Sequence, residues 1–418
     1  MLSWFRKNIL PSLLVSCALL LLVFAIGEAY LRLAHPFFQP NWPSRFDARV
    51  GFLFEPNTEV RWTNHLDFWV KEKTNSLGFL DREPGKPSTK CHVAFVGDSF
   101  VEGAQVKISD KVQVAIEALA ARERPELTLT AAGFGYSGTG QANQLPFYDH
   151  FIRQQQPKLV VLVFVGNDFR NNSTLLESIS NGWDPDHPPR LFFRKTAHGI
   201  VHIPIDPEWR DYLLPGQLSA SINRFSQFIR SHSAFYDWIW RKAALLYPGI
   251  VGGNDVALAA AYKARFEAIR QRDGYLDLVA DWNYVGNPGL DNYFDEAEMP
   301  RVFGEAIEVT EYVLAEFKRR AEADGARVIV LAASQLSNRT KAKTGDPQFG
   351  RRQMERLHTI ASRLGIVVVD QYEFINKVGG DQSQAQFKHD GHWTQQGHQW
   401  AAAAVWDYLK VAHPEICP

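Results

Sequence analysis

Four short clusters of residues in this sequence could do chemistry, and the first is centred on Ser99. The apolar segment Val93–Val96 runs directly into Gly97-Asp98-Ser99-Phe100. A serine at a strand-to-helix turn can expose its hydroxyl at a sheet edge, where a helix N-terminus offers N–H groups to a developing oxyanion. The same residues could equally serve only as a helix cap. Taken alone, the tripeptide leaves both interpretations open.

Three further clusters follow other apolar runs or precede the last helical stretch. They are the glycine-rich loop Gly133–Gln141, the segment Val165–Asp168 with Asn167, and the segment His389–His392. An imidazole beside a serine can act as a general base, and loop N–H groups or an amide can stabilise an oxyanion. Histidine and carboxylate side chains are also metal ligands, so His389–His392 has a competing interpretation as a metal site. No partner motif at metal-ligand spacing appears elsewhere, and we expect neither a metal nor a cofactor.

The elements that must position these clusters are strands alternating with helices. Continuous apolar runs occur at His92–Val96, Leu127–Ala132, Leu159–Val165, Val328–Ala333 and Ile366–Val369. Such runs are typical of strands buried on both faces, and their alternation with helical stretches indicates a parallel sheet. The pattern predicts an α/β protein, a three-layer sandwich around a five-stranded parallel sheet. Catalytic groups in such sheets gather at the carboxyl ends of the strands.

The four clusters together resemble the motifs of the SGNH, or GDSL-type, hydrolase superfamily. That family carries a Ser, a Gly, an Asn and a His in this order along a flavodoxin-like sheet, and the similarity covers residues 88–175 and 325–412. The opening of the chain, with Glu28–Arg32 at the end of an apolar segment and Asn75–Phe79 before the first block, is similar to membrane-anchored bacterial members. The resemblance implies a serine hydrolase that acts on esters.

The resemblance assigns the oxyanion hole residue by residue. Ser99 matches the nucleophile, whose own N–H is one donor, and Asn167 matches the side-chain donor. Counting from the strand, the usual glycine position falls on Tyr136, with Gly135 and Gly138 close by. Any residue can donate a backbone N–H, and we select Gly135 as the loop donor.

The resemblance also implies that His392 is the general base. His392 lies five residues before Gly397, as the family's histidine usually does before a helix-opening glycine. The usual spacing to the orienting carboxylate is Asp-x-x-His, whereas Asp390-Gly391-His392 is one residue shorter. Asp390 remains the candidate that holds the tautomer of His392 and stabilises its imidazolium form.

The N-terminus is predicted to be a membrane segment. Arg6 and Lys7 precede an uncharged apolar run from Ile9 to Gly27, which is long enough to span a bilayer. A signal peptide cleaved after Ala25-Ile26-Gly27 and a lipoprotein modified at Cys17 are the alternatives. With the basic residues inside, we expect a single-pass protein of the cytoplasmic membrane whose catalytic domain lies on the periplasmic or extracellular side.

The expected organisation has three parts: an anchor at 1–33, an extended wrapping or spacer segment at 34–88, and a hydrolase domain at 89–415. Residues 172–305 form an insertion in that domain, predicted to be mostly helical and rich in aromatic residues. Within it, Ser219–Leu246 looks helical, and its aromatic residues either pack extra helices or line a lid or carbohydrate-stacking wall. Cys91 and Cys417 remain outside the membrane segment, and a disulfide between them and two free thiols are both open.

Charge and location narrow the expected partners. The 45 basic and 46 acidic residues give a formal charge of −1 without any block of like charges, which argues against a nucleic-acid partner. We expect a serine ester hydrolase acting through an acyl-enzyme on O-acyl, chiefly acetyl, esters of cell-surface or exported carbohydrate. The alternatives are an O-acyltransferase that uses the same site and a non-catalytic polysaccharide-binding scaffold.

Overall fold

A computed structural model describes residues 10–85, 91–216, 228–230, 232–246, 253–286, 289–333, 350–412 and 416–417. The strands are β1 Ser44–Asp47, β2 Gly51–Phe54, β3 Glu59–Thr63, β4 Trp69–Lys73, β5 His92–Gly97, β6 Thr130–Gly135, β7 Leu159–Phe164, β8 Phe192–Thr196, β9 Gly199–Ile203, β10 Arg327–Ala332 and β11 Val367–Asp370. The α-helices are α1 Leu10–Ala34, α2 Ser99–Glu102, α3 Val112–Glu123, α4 Gln141–Phe147, α5 Asp168–Asn171, α6 Thr174–Asn181, α7 Ala234–Leu246, α8 Gly253–Arg270, α9 Leu276–Val279, α10 Arg301–Ala323, α11 Arg351–Leu364, α12 Gln371–Lys377 and α13 Gln395–Asp407.

The chain divides into two compact units. One comprises Met1–Pro40 with Leu218–Val256, and the other comprises Asn41–Gln217 with Ala257–Pro418. The boundaries therefore differ from the predicted ones at residues 33 and 88. Residues 41–88 belong to the unit that contains the large sheet, and part of the insertion groups with the apolar N-terminal helix.

The larger unit is built on a five-stranded parallel sheet in the order β11-β10-β7-β5-β6. Counted along the chain, this is the flavodoxin-like order 2-1-3-4-5. The predicted α/β fold class is confirmed. Strand β6 begins three residues later than the predicted run, because Pro125–Leu127 form a 3-10 turn and Thr128 is left-handed with φ 45°.

Helices cover both faces of this sheet because its central strands are apolar on both sides. All six residues of β5 and all six of β7 are buried. Val93 and Phe95 of β5 share a core with Ile116 of α3 and Ala401 of α13. The alternate residues Ala94 and Val96 share the opposite core with residues of α10, including Val309 and Phe317. These two cores make the fold a three-layer sandwich.

Three antiparallel hairpins lie outside the predicted elements. The predicted spacer contains two of them, β1–β2 and β3–β4. The third, β8–β9, lies inside the insertion, where we predicted helices and no strand. Within the predicted helical stretch Ser219–Leu246, residues 219–227 and 231 lie outside the described part, and α7 occupies its end.

The two cysteines outside the apolar N-terminal helix lie together. The structure joins Cys91, just before β5, to Cys417, beyond α13, in a disulfide. Cys17 on α1 is a free, exposed thiol. The disulfide ties the segment after α13 to the amino end of β5, opposite the edge where Ser99 lies.

Candidate active site

Ser99 begins helix α2 at the carboxyl end of strand β5, which lies between β7 and β6. Asp98 caps this helix, its carboxylate accepting a hydrogen bond from the N–H of Phe100 at 2.9 Å. Asp98 and Phe100 are buried, whereas Ser99 is partly exposed. The strand-to-helix turn therefore presents the serine hydroxyl at the sheet edge between two buried neighbours.

His392 reaches Ser99 from the other end of the sequence. Its Nε2 lies 2.8 Å from Ser99 Oγ. The same hydroxyl lies 3.3 Å from Oδ2 of Asp98. Since a hydroxyl has one proton to donate, the shorter distance selects the histidine as its acceptor. His392 can therefore take the Ser99 proton as a general base.

Asp390 holds the other side of the imidazole. His392 Nδ1 hydrogen-bonds Oδ1 of Asp390, and the backbone N–H of His392 donates to the same oxygen at 3.3 Å. Gly391 between them has φ +94°, a conformation that L side chains rarely adopt. This turn folds the aspartate back under the ring, so the shortened spacing still brings carboxylate and imidazole together.

The charges around His392 favour its protonated form. Burial opposes a charge on the ring, but the hydrogen bond and charge of Asp390, with the charges of Asp98 and Glu102, raise the pKa of His392 above its ordinary value. An imidazole with a raised pKa is a stronger base toward the serine proton. It is also neutral, and able to accept that proton, only at higher pH.

Asn167 lies on the same edge, after the neighbouring strand β7. Its side-chain amide donates to Oδ1 of Asn171 at 2.7 Å. It also hydrogen-bonds the buried Asp98 carboxyl, an interaction that lowers the pKa of Asp98 against a larger upward effect of burial. Asn167 is partly exposed while Asp168 beside it is buried. The structure therefore brings the Asn167 amide to the serine turn through Asp98.

The glycine-rich loop begins where β6 ends, and Gly135 still belongs to the strand. Gly135 pairs with Gly97 of β5. A Cβ at Gly135 would lie 2.2 Å from the backbone nitrogen of Glu102. Because real Cβ atoms do not approach so closely, only glycine lets α2 pack against β6 here.

The N–H groups that follow Gly135 are mostly occupied. Tyr136 donates its N–H to the carbonyl of Gly97 at 3.3 Å. Ser137 donates its N–H to Oε2 of Glu102 at 2.7 Å and its hydroxyl to Oε1 at 2.8 Å. Gly138, with φ +66°, donates its N–H to no acceptor among the described residues. Gly138 is therefore the first residue after the strand whose N–H is free for a ligand.

Glu102 fixes this loop from inside the protein. The residue is 2% exposed, and burial raises the pKa of its carboxyl to about 7, although the two Ser137 hydrogen bonds and the charges of Lys111 and His392 oppose the shift. The Lys111 ammonium donates to the backbone carbonyls of Leu80 and Glu102. Burial lowers the pKa of Lys111 to about 8. The loop is thus held by a buried carboxyl group, and the Lys111 ammonium binds the backbone of the same residue.

Arg190 holds the same loop from the insertion side. Its guanidinium donates to the carbonyl of Gly138 and to that of Ser137 at 3.4 Å. The rings of Phe52, Tyr136 and Trp183 surround it, with centroids 5.2 to 5.9 Å from Cζ. Sequence reasoning missed Glu102 and Arg190, because neither lies in a pattern that marks a site.

His389, the alternative histidine, has a different partner. Its Nδ1 lies 2.8 Å from Oδ1 of Asp67, in the turn between β3 and β4, and its backbone N–H donates to Oδ2 at 3.0 Å. Next to this pair, the rings of Phe68 and Phe387 contact at 5.1 Å between centroids. The N-terminal hairpin therefore holds the loop that carries His392. His398 is buried, and burial lowers its pKa to about 3.

The competing metal interpretation finds no cluster in the described part of the chain. There, no group of three or more His, Cys, Asp or Glu side chains is arranged to hold a metal ion. His389 and His392 each face a separate aspartate instead. Around Ser99, the described side chains form a hydrogen-bonded Ser-His-Asp set.

Comparisons with known proteins find similarity to solved structures. No family model and no curated protein matches the sequence. The chain is similar to TesA, with 14% identity over 76% of this chain and 98% of that one and a TM-score of 0.35. It is similar to an acetylxylan esterase from Geobacillus stearothermophilus at 11% identity, covering 79% and 98% with a TM-score of 0.36. A lipase/acylhydrolase from Enterococcus faecalis is 9% identical, with coverage of 77% and 95% and a TM-score of 0.36. The chemistry of the site therefore rests on the geometry of Ser99, His392 and their neighbours.

Proposed function

We propose that the protein is a serine ester hydrolase that works through an acyl-enzyme on Ser99. The observation that carries the proposal is the continuous hydrogen-bonded set in which His392 contacts Ser99 Oγ at 2.8 Å and the Asp390 carboxylate on its other side. This is the arrangement that activates a hydroxyl toward a carbonyl carbon. The partial exposure of Ser99 and His392 gives an ester access to both.

The reaction follows from these positions. His392 Nε2 removes the Ser99 proton as Oγ attacks the ester carbonyl, and the carbonyl oxygen becomes an oxyanion. His392 then delivers the proton to the leaving alcohol, and the acyl group remains on Ser99. A water molecule, deprotonated by the same imidazole, releases the acid and restores Ser99. The Asp390 carboxylate stabilises the imidazolium in both steps.

The oxyanion requires donors from three directions. We assign them to the N–H of Ser99, the N–H of Gly138 and the Asn167 amide, which would exchange one of its hydrogen bonds to Asn171 and Asp98 for the oxyanion. N–H groups along a strand alternate in direction, and that of Tyr136 points to Gly97 on β5. The N–H of Gly135 therefore points to the open edge of the sheet, away from Ser99. Gly138 replaces Gly135 as the proposed loop donor.

The proposed substrate is an O-acyl ester, chiefly acetyl, of cell-surface or exported carbohydrate. This proposal rests on the proposed extracytoplasmic location and on analogy of fold. An O-acyltransferase would use the same acyl-enzyme, with a sugar hydroxyl in place of water. Turnover of p-nitrophenyl acetate with and without an oligosaccharide acceptor separates the two, since only transfer yields an acetylated sugar.

We also propose that α1 is a retained anchor in the cytoplasmic membrane, with the unit that carries Ser99 on the outer side of that membrane. The structure describes one helix long and apolar enough to cross a membrane, with a mean hydropathy of 2.5 over its best window. Phe24 and Gly27 of this helix contact Phe235 of α7. A signal peptide cleaved after Gly27 would remove these contacts. The mass of the purified mature protein tests the proposal, since cleavage would remove residues 1–27.

The decisive experiment for the enzymatic proposal compares wild type with Ser99→Ala. A fluorophosphonate probe should label the wild type, and the variant should lose both labelling and p-nitrophenyl acetate hydrolysis. Unchanged labelling in the variant, or none in the wild type, would instead support the non-catalytic scaffold. Ser109→Ala, which changes an exposed serine outside the site, is the matched control and should be labelled normally.

A further inference from the structure

The start of helix α7 is hydrogen-bonded to the outer end of α1. The Glu28 carboxylate accepts hydrogen bonds from Ser233 Oγ at 2.9 Å and from the N–H groups of Ala234 and Phe235 at 3.1 and 2.9 Å. It thereby satisfies backbone donors that the first turn of a helix leaves free. Arg32 strengthens the junction by donating to Glu28 at 2.6 Å and to the carbonyl of His232 at 2.7 Å.

The two helices also pack closely. A Cβ added at Gly27 would lie 2.5 Å from the Phe235 ring, so a larger residue here would push α7 away. The Phe24 ring meets the Phe235 ring edge-on, with 5.3 Å between centroids. Since Phe24, Gly27 and Glu28 lie on the last apolar turns of α1, the start of α7 is fixed at the depth where the apolar stretch ends.

That depth can be placed relative to a bilayer. The helix from Leu10 to Gly27 is about 27 Å long at 1.5 Å per residue, close to the roughly 30 Å of a hydrocarbon core. Glu28, the first charged residue after this stretch, would stand at the boundary between acyl chains and headgroups. The first turn of α7, which Glu28 caps, would stand at the same level.

The composition of α7 suits this boundary. Within its sequence Ala-Phe-Tyr-Asp-Trp-Ile-Trp-Arg-Lys, four aromatic residues and an isoleucine precede two basic residues. Tryptophan and tyrosine are enriched at membrane interfaces, where an apolar ring body and a polar edge are both accommodated. Ile239 of α7 is 42% exposed and Phe228 just before it is 60% exposed. These apolar side chains face solvent unless lipid covers them.

The charges of this region are partly neutralised within it. Asp237 pairs with both Arg230 and Arg241, each through Nε at 2.6 Å, and so offsets one of these two arginines. Arg32 is paired with Glu28. Lys242 is the basic side chain of α7 that makes no ion pair with any described residue, and it lies over the Trp238 ring at 5.9 Å. The positive charge that remains is small beside the run of aromatic and aliphatic side chains in α7, and we expect apolar and aromatic contacts to dominate.

We propose that α7 is an interfacial helix that lies at the acyl–headgroup boundary of the membrane that α1 spans, with Ile239, Trp238 and Trp240 in contact with lipid. The proposal rests on the proposed anchor and does not depend on the esterase. Its partner is the lipid surface itself, and zwitterionic lipid is sufficient for it. In this arrangement, the chain leaves the apolar core of the membrane at residue 28 and returns to the membrane surface with α7.

Depth-dependent quenching tests this proposal on the full chain in phosphatidylcholine vesicles. In a Cys17→Ala background, Leu20→Cys, Ile239→Cys and Val378→Cys variants each receive an environment-sensitive fluorophore, because the Cys91–Cys417 disulfide leaves no other thiol. All three positions are exposed on the protein, at 70%, 42% and 52%. Nitroxide lipids should quench the labels at Leu20 and Ile239 and leave the label at Val378 unquenched.

The three positions separate the possible failures. An unquenched label at Leu20 would overturn the anchor, and the interfacial helix with it. A quenched label at Leu20 with an unquenched label at Ile239 would overturn the interfacial helix alone. Fluorophosphonate labelling of the same samples reports on Ser99 independently of either result.

A second variant tests whether docking on α1 sets the depth of α7. Gly27→Leu should leave the label at Leu20 quenched, since the anchor remains apolar, while quenching at Ile239 is lost. Gly27→Ala adds only the Cβ and should show an intermediate loss. Full quenching at Ile239 in Gly27→Leu, or quenching that appears only when anionic phosphatidylglycerol is added, would contradict the proposal.

Discussion

The two sides of Ser99 are built in different ways. On the proton-transfer side, the contacts come from Asp390 and His392, two residues apart on one loop. On the oxyanion side, the loop that carries Gly138 is held by Glu102 and Arg190, which lie 35 and 52 residues from the loop residues they bind. Asp390 and His392 are close to each other in sequence and partly exposed. Glu102 and Arg190 are buried, and both are distant in sequence from the loop that they hold.

This difference separates two kinds of mutational effect. A change on the proton-transfer side removes a group that takes part in the chemistry, so it should reduce turnover strongly and leave the fold intact. A change at Glu102 or Arg190 removes a support, so it should displace donors by fractions of an ångström and reduce turnover less. The following predictions test that ranking.

The largest effect is expected from His392→Ala. If the proposed mechanism holds, loss of the general base should reduce kcat/KM for p-nitrophenyl acetate by about 10⁴–10⁶-fold, the range expected when a serine hydrolase loses its base. His389→Ala is the matched control and should cost less than tenfold, because the backbone N–H of residue 389 still donates to Asp67. A larger loss in His389→Ala than in His392→Ala would reverse the assignment of the base.

Asp390→Asn should reduce kcat by roughly 10²–10⁴-fold and change the pH profile. The Asp390 carboxylate raises the pKa of His392, so its removal should lower that pKa. Activity requires neutral His392 and rises as pH passes through its pKa; the acidic limb should therefore move to lower pH in the variant. A limb that stays in place or moves to higher pH would show that Asp390 does not act on His392.

Asn167→Ala removes a proposed donor to the oxyanion, the side-chain amide of Asn167. Loss of the amide should reduce kcat by about 10²–10³-fold with little change in KM, because the donor binds charge that develops only in the transition state. Asn171→Ala removes its hydrogen-bond partner at 2.7 Å and should cost less. Equal losses in the two variants would indicate that Asn167 acts by supporting the fold.

Changes in the buried supports should have smaller effects. Arg190→Lys and Glu102→Ala should each reduce kcat by about 10–10²-fold, while Glu102→Gln, whose amide oxygen can still accept the Ser137 N–H, should retain most activity. KM and fluorophosphonate labelling at saturation should change little in all three variants. Thermal unfolding of each variant distinguishes a displaced loop from a protein that no longer folds.

The smallest effect on kcat is expected from Cys417→Ser, far from both sides of Ser99. Loss of the disulfide should lower the free energy of unfolding by about 2–4 kcal/mol, measured by denaturant titration. The kcat of the folded variant should be that of wild type. A fall in kcat of the folded variant would show that the amino end of β5 influences the site at its carboxyl end.

The same contrast decides what the sequence could predict. The five strands of the parallel sheet could be predicted, and Ser99 and His392 proposed, because each lies in a short segment whose pattern carries its own signal. The contact between Asp390 and His392 could not be predicted from their shortened spacing. It depends on the positive φ of Gly391, which the sequence does not distinguish from the φ of any other glycine. The alternation of N–H direction that disfavours Gly135 depends on the true end of β6, three residues beyond the predicted one.

The rest could not be predicted because it depends on long-range contacts. Arg190 lies in an insertion without periodicity and acts through two backbone carbonyls, which leave no pattern in the sequence. The hairpin β8–β9 places five-residue strands in the same insertion, too short for alternation to stand out. The grouping of part of the insertion with α1 depends on Glu28 and Gly27, whose partners lie about 200 residues away.

The contact between Asp67 and His389 has a practical consequence for where the protein can be cut. A fragment that begins at residue 89, the predicted start of the last domain, would contain Ser99, Asn167, Asp390 and His392. It would lack the turn between β3 and β4 that holds the histidine loop through two hydrogen bonds to Asp67. A shortened version that keeps this contact should therefore begin near Asn41, the first residue of the larger unit.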